Sequence, residues 1–408
     1  MKLPSTTALT AVLVLLGTAS AQTTLTQWYH EYGETGTKEA IQRYARDYEK
    51  TTPNVKLDVT MVTGDIFQKL NPALLAGTAP DVFETNAQYI YQQAKAGQLA
   101  PLDDIVSAAV RRDFNADLLK AYTYNGKLYA IPTLIDPMLL FYRKSALSKA
   151  GLKTPQTFDD LVNVVDKLNT PTTKGLFLGN DGGAGHAVFT MTYSSGNKLI
   201  NGTTVATNTA TQARALDAFR KLARSKGLLV GAPTDWWDPS AISQNLAAIQ
   251  YSGLWALPGM QQAAGNDIGA MPWPKYGANG RPFVALGGWA VAVNAKSKNV
   301  AAAKALVKSQ WIDNAALQED WNTAYGFHIP ARNSVAAASE KLKTGTAADV
   351  VRLASTYGRS LYPGLWSGDV ELALRDGVTR IMRTDASAVD LLRASTQNAQ
   401  TALNRLVK

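Results

Sequence analysis

The residues able to do chemistry in this chain are few. Asp81 follows a small-residue turn in "LLAGTAPDVFE" and opens a short apolar run, so it reads as a catalytic acid, a ligand acceptor or a cap. The three histidines, His30, His186 and His328, have no ligand-like spacing to one another, so no zinc site is expected. The absence of cysteine excludes a disulfide framework, a thiolate metal site and a cysteine nucleophile. Neither a G-x-S-x-G elbow nor a phosphate-binding P-loop occurs. "GNDGGAG" (179–185) departs from the dinucleotide fingerprint and does not lead clearly into a helix, so it reads as a flexible loop. Two facing carboxylates, the minimum for a glycosidase, remain compatible with the sequence. No cofactor is expected.

Aromatic placement says more. Of nine tryptophans, most fall outside the periodic faces that would bury them. "WYHEYGE" (28–34) begins where a first strand should end. "DWWDP" (235–239), "YSGLW" (251–255), "MPWP" (271–274), "GGWAV" (287–291) and "YPGLWSGD" (362–369) fall in turns or at element ends. Loops are where binding groups concentrate. A sugar ring lays an apolar C–H face on an aromatic plane while its hydroxyls seek carboxylates and amides at the rim, and these segments supply both. Trp28, Trp236, Trp255 and Trp366 fall in these segments. Trp289 fits either a ligand contact or a packed position under a strand. Trp311 and Trp321 lie on helical segments and read as core, and Trp273, between prolines, as a packed loop anchor.

The elements that must position these groups alternate between helix and strand. "TKEAIQRYARDYEK" (37–50) puts Ala40, Ile41, Tyr44, Ala45 and Tyr48 on one helical face. Pro53 breaks it, and Val55, Leu57, Val59 and Met61 then alternate as in a strand. Asp65 can cap a helix that Pro72 should interrupt or kink. A short strand, "DVFET", and a helix over 87–95 closed by Gly97 follow. Further on, Thr157, Thr209 or its neighbour Asn208, and Asn299 are expected helix caps. This grammar indicates an α/β architecture with largely parallel sheets. Three short stretches with Pro or Gly, 131–137, 283–288 and 326–333, read as crossings between two lobes, and 408 residues exceed the usual size of one core.

Residues 1–21 have the form of a cleaved export signal: Lys2, the apolar "ALTAVLVLLG", and Ala19-Ser20-Ala21 before Gln22. With no cysteine for a lipid anchor, a periplasmic address is expected. The balance of 41 Lys+Arg against 32 Asp+Glu is spread thinly along the chain, so no nucleic-acid partner is expected, and no segment after the export signal reaches about 18 apolar residues, so no direct membrane insertion is expected.

In order, "LTQWYHEYG", "LLAGTAPDVFE", "YNGKLYAIP", "LLFYRKSALSKAGLKTPQTFDDL", "AAIQYSGLW", "GGWAVAVNAKSKNVAAAKALVKSQ" and "GFHIPAR" resemble the motifs of the family 1 extracellular solute-binding proteins, the maltose-binding-protein-like components of ABC importers. The resemblance covers essentially the whole chain. It implies a two-lobed periplasmic binding protein fold (type II), each lobe a mostly parallel sheet flanked by helices and joined by hinge crossings. Residues 22–131 plus 288–327 would form one lobe, and 136–284 plus 333–408 the other. Carried over by motif, Asp81 matches an aspartate that holds sugar hydroxyls, and Asp136 lies where a binding glutamate is placed. Trp255 and Trp366 match stacking tryptophans, and Phe189 falls near a second-lobe aromatic. Tyr142-Arg143 departs from the family's tyrosine–asparagine, and Phe158 from its tryptophan. The rich "WYHEYGE" adds Trp28, Tyr29, His30 and Glu31 as first-lobe contacts. The implied function is capture of a sugar, an oligosaccharide in the first instance, by a monomer that hands it to ABC permease subunits without catalysis. The alternatives are a glycerophosphodiester or other phosphorylated solute, and a secreted carbohydrate-active enzyme.

Overall fold

The computed structural model describes residues 22–408; the expected export signal, 1–21, lies outside them. Walking the chain, thirteen strands matter to the site. They are β1 (Thr23–His30), β2 (Val55–Val62), β3 (Val82–Thr85), β4 (Ala130–Pro132), β5 (Leu134–Arg143), β6 (Lys174–Phe177) and β7 (Leu228–Leu229). Then come β8 (Ala247–Gly253), β9 (Ile268–Met271), β10 (Val284–Gly287), β11 (Ala290–Val293), β12 (Ile329–Pro330) and β13 (Gly358–Ser360). One sheet has the order β2-β1-β3-β11-β4, and the other β7-β6-β8-β5-β10-β13, with β9 and β12 also paired to β5. Pairing is parallel among β1, β2 and β3, and antiparallel where β11 arrives from far along the chain. The molecule is α/β, with helices packed on two sheets.

Local chemistry explains most boundaries. The first helix runs Thr37–Thr51 and buries Ala40, Ile41, Tyr44, Ala45 and Tyr48, the face its spacing predicts. Asp65 caps Ile66–Ala76 by accepting from the Phe67 N–H, and that helix carries Pro72 inside it as one unbroken element. Proline lacks one donor, and the helix's buried Ile66, Phe67, Leu70 and Leu74 hold it together regardless. Thr157 makes a full capping box with Asp160. Asn299 does not cap Val300–Lys308 with its side chain. Its amide reaches the Thr24 carbonyl instead, while Ser297 accepts from the Asn299 N–H. "GNDGGAG" also differs from expectation, because Gly183, at φ 86°, leads directly into helix Ala184–Ser194.

Three passages join the sheets, and they lie side by side. Gly287 pairs with Asp136, and Ile329 with Ile135. The Thr133 N–H donates to the Trp289 carbonyl at 2.9 Å. Gly288 has φ +144°, and a Cβ there would sit 2.3 Å from the Leu134 carbonyl oxygen, so only glycine lets the first two passages touch. Asp136 is thus pinned by β10 on one side, with β12 on the adjoining residue. Among the described residues no helix is long and apolar enough to cross a membrane.

Candidate functional site

The seam between the two sheets holds a cavity of about 520 Å³. Its floor is the hinge, with Asp136, Gly287 and Gly288, and Trp289 stands on the first-sheet side. The second-sheet side contributes His186 and Phe189 from helix Ala184–Ser194, and Trp236, Tyr251 and Trp255. Leu361, Tyr362, Glu371 and Arg375 close another wall. Asp136, Trp236, Trp255 and Trp289 also line an adjoining compartment of about 300 Å³, whose far side is His30, Glu31, Glu34 and His328.

Buried polar contacts fix the aromatic plates. Gln250, fully buried on β8, donates to the Trp236 carbonyl at 3.2 Å and the Asp238 carbonyl at 2.6 Å, and accepts from the Ile242 N–H. That one amide sets the "DWWDP" loop against the sheet. The Trp255 indole N–H donates to the Trp237 carbonyl at 2.9 Å, and Trp236 meets Trp255 edge to face at 5.8 Å. On the opposite wall Trp289 stacks on His30 at 3.6 Å, and Phe67 lies parallel to it at 5.9 Å. His30 is oriented by fully buried Glu84, which accepts from its backbone N–H at 2.9 Å and contacts its Nδ1 at 2.8 Å. Tryptophan faces therefore stand on both sides of the seam in fixed orientations.

Charge is equally ordered. His328 is buried between Asp136, 2.5 Å from its Nδ1, and Glu34, 3.2 Å from its Nε2. Burial pulls its pKa down, but the two carboxylates outweigh that and push it up to about 10. Imidazolium at His328 holds one oxygen of Asp136 and leaves the other available on a cavity-lining residue. His186 behaves oppositely: enclosure drives its pKa down to about 4, against the pull of Asp181 and Asp235, so it is neutral near pH 7. Burial raises Glu371, with Trp366 and Arg375 pulling the other way. Its Oε2 accepts from the Gln88 amide at 3.0 Å and the Trp366 indole at 3.2 Å. The Gln88 bond crosses the seam, as does Lys95 Nζ to the Leu406 carbonyl at 2.7 Å. Among the described residues no group of three or more His, Cys, Asp or Glu is arranged to hold a metal ion.

The structure brings together seven of the eleven residues expected from sequence: Asp136, Phe189, Trp236, Trp255 and Trp289 line the central cavity, and His30 and Glu31 the adjoining one. It places four elsewhere. Asp81 clips β1 to the segment after β11, accepting from the Thr26 N–H and hydroxyl, both at 2.8 Å, and from the Ser297 hydroxyl at 2.5 Å. Tyr29 is 1% exposed and points into the core, where its hydroxyl accepts from Gln27. Trp28, on the opposite face of the same strand, is half-buried against that core and outside both compartments. Trp366 is fully buried behind the wall, 5.6 Å from Phe189 and 6.2 Å from Tyr362. Conversely, sequence reasoning missed His328, His186, Asp181 and Glu371. His328 and His186 enter the sequence only as histidines without metal-ligand spacing, because their partners Asp136, Glu34 and Asp235 lie on distant segments.

Residues 43–349 match the family of bacterial extracellular solute-binding proteins. The chain belongs to that family. An uncharacterised ABC transporter extracellular-binding protein from Pyrococcus horikoshii is 29% identical over 267 residues, which are 60% of this chain and 60% of that protein's own length. A solute-binding protein from Thermotoga lettingae TMO, bound with α-D-tagatose, superposes with a TM-score of 0.79 at 19% identity, over 93% of this chain and 100% of that one. The maltotriose-binding protein of Thermus thermophilus, bound with maltotriose, gives 0.75 at 23% identity, over 93% and 99%. These likenesses define a two-lobed, maltose-binding-protein-like fold.

Proposed function

We propose that this chain is the receptor of an ABC importer, that it encloses a sugar, specifically an oligosaccharide, between its lobes by hinge closure, and that it delivers it to the permease without a covalent step. The observation that carries this reading is the seam cavity, where tryptophan faces from both walls meet beside a hinge carboxylate with one free oxygen. Aromatic planes take the apolar face of a ring and the carboxylate takes its hydroxyls. Water excluded on closure strengthens those hydrogen bonds. Hinge closure is an established motion of periplasmic binding proteins. The moving bodies in this reading are 22–131 with 288–327, and 136–284 with 333–408. His30, Glu31, Asp136, Phe189, Trp236, Trp255 and Trp289 touch the ligand, while Trp28, Tyr29, Asp81 and Trp366 serve the framework. The named ligands of the two similar structures, tagatose and maltotriose, point to the same chemistry.

The test is a thermal-shift screen of the purified protein against neutral mono- and oligosaccharides and glycerophosphodiesters, followed by calorimetric titration. A ligand at about 100 times its dissociation constant adds roughly 2.7 kcal/mol of stability when it binds only the folded state. Binding of phosphodiesters alone, or release of cleaved glycan on prolonged incubation, overturns the proposal.

A further inference from the structure

Beyond the central cavity and its His30-side neighbour lies a third compartment on the same seam, about 550 Å³ in volume. Asp117 and Lys120, both on the short helix Ala116–Ala121, form one side, and Tyr193, Arg359, Ser360 and Gly364 the other. Tyr362 lines both this compartment and the central one, and it is held edge-on to Phe189 at 5.7 Å. Three compartments therefore follow one another along the seam, with Trp289 and Asp136 at the first junction and Tyr362 at the second. Both ends reach solvent. Exposed Glu31 and Trp237 border one end, and exposed Lys120 and Arg359 the other.

Small-ligand pockets run from about 300 to 1,000 Å³, so the central compartment alone suffices for a short solute. The flanking two are surplus to it. Elsewhere on the seam the walls are tied shut by the Gln88–Glu371 and Lys95–Leu406 hydrogen bonds, so the two flanking openings are not a general gap between lobes. The far compartment is polar, lined by hydroxyl, carboxyl and cationic groups, and the His30-side one sets Glu31, Glu34 and His328 beside tryptophan rings, the mixture a hydroxylated chain with apolar ring faces requires.

Resting on the sugar reading above, we infer that the site is a groove open at both ends that takes an internal stretch of a linear oligosaccharide longer than a disaccharide, reading neither chain end. A central ring lies among Trp236, Trp255 and Trp289, and further rings extend past Tyr362 toward Arg359 and past Asp136 toward His30. A free reducing end is not required, because no compartment ends in a closed wall that would fit one.

The experiment is calorimetric titration of the full mature chain with α-glucan, β-glucan and β-mannan ladders from disaccharide to hexasaccharide, each native and borohydride-reduced. In the series that binds, affinity should rise at least about tenfold from disaccharide to tetrasaccharide, and reducing the end should change it by less than about threefold. A plug provides the second arm. Gly364 lines the far compartment and has open space where a Cβ would be, so Gly364→Trp fills that mouth without a clash at its root. It should bring the tetrasaccharide's affinity down to that of the disaccharide. Equal affinity along the ladder, loss of binding on end reduction, or an unchanged ladder in Gly364→Trp overturns the open groove while leaving sugar binding intact. Failure of every ladder to bind overturns the sugar reading itself.

Discussion

Replacing His328 with Gln removes a buried cation from between two carboxylates, and its cost can be worked out in advance. Asp136 and Glu34 lose their shared partner and are left as buried charges. Breaking one partner out of a buried ion pair costs about 3–5 kcal/mol. The histidine's own titration gives the same order. A pKa raised from 6.5 to about 10 corresponds to a ceiling of about 5 kcal/mol, at about 1.36 kcal/mol per unit. The folded pKa lies above the unfolded one, so this stabilisation is fully present below about pH 6.5. It is lost as pH rises toward 10. Denaturant unfolding of wild type and His328→Gln at pH 6.5, 7.5 and 8.5 measures the gap, and other titrating groups largely cancel in the difference. The gap should be about 3–5 kcal/mol at pH 6.5 and shrink by roughly 1.4 kcal/mol per pH unit. A gap that is small, or that stays constant across this range, shows that His328 is not the charged centre of the hinge.

Other positions separate framework from site. Asp81→Asn loses a charged acceptor shared by Thr26 and Ser297, so apo stability should fall by about 1.5–3 kcal/mol while sugar affinity stays near wild type by calorimetry. Trp255→Ala should do the reverse: it weakens affinity by about 0.5–1.5 kcal/mol beyond the area lost, with a smaller change in apo melting, since its ring faces the cavity. Gly253→Ala would put a Cβ 1.8 Å from the Trp255 ring, so it should shift that plate and reduce affinity even though no ligand contact is removed.

The architecture was legible because it is written locally. Helix Thr37–Thr51 declares its buried face through spacing, and Thr157 and Asp65 declare their helix starts through capping chemistry. Even the three crossings announce themselves by Pro and Gly beside apolar runs. The site is written differently. Trp366 and Trp255 have much the same sequence surroundings, an aromatic after a Gly-Leu pair, yet one is fully buried and the other faces the cavity. The difference lies in what packs behind them. Trp366 is covered by Tyr362, four residues before it, and by Phe189, from a distant helix, while Trp255 meets the edge of Trp236, the Trp237 carbonyl and the bare α-carbon of Gly253. No window of sequence contains that information.

Asp81 shows the same limit from the other side. An aspartate after a small-residue turn at a strand's start has two good fates, toward the seam or back across the sheet. Thr26 and Ser297 decide it, because a hydroxyl and an N–H from β1 and a hydroxyl after β11 already fill its acceptor sites. Asp136 has the opposite history. His328 occupies one of its oxygens, and β10 pairs its backbone while β12 pairs the residue before it, so the remaining oxygen is held in place. An acceptor fixed in advance loses little freedom on binding, which favours affinity. It also sits where the three passages meet, so in the proposed reading a hydroxyl bound to it bears directly on the segments that bend when the lobes close. On this geometry the crossings and the central cavity share one piece of chemistry, the Asp136–His328 pair, and the proposed function makes it the link between ligand and hinge.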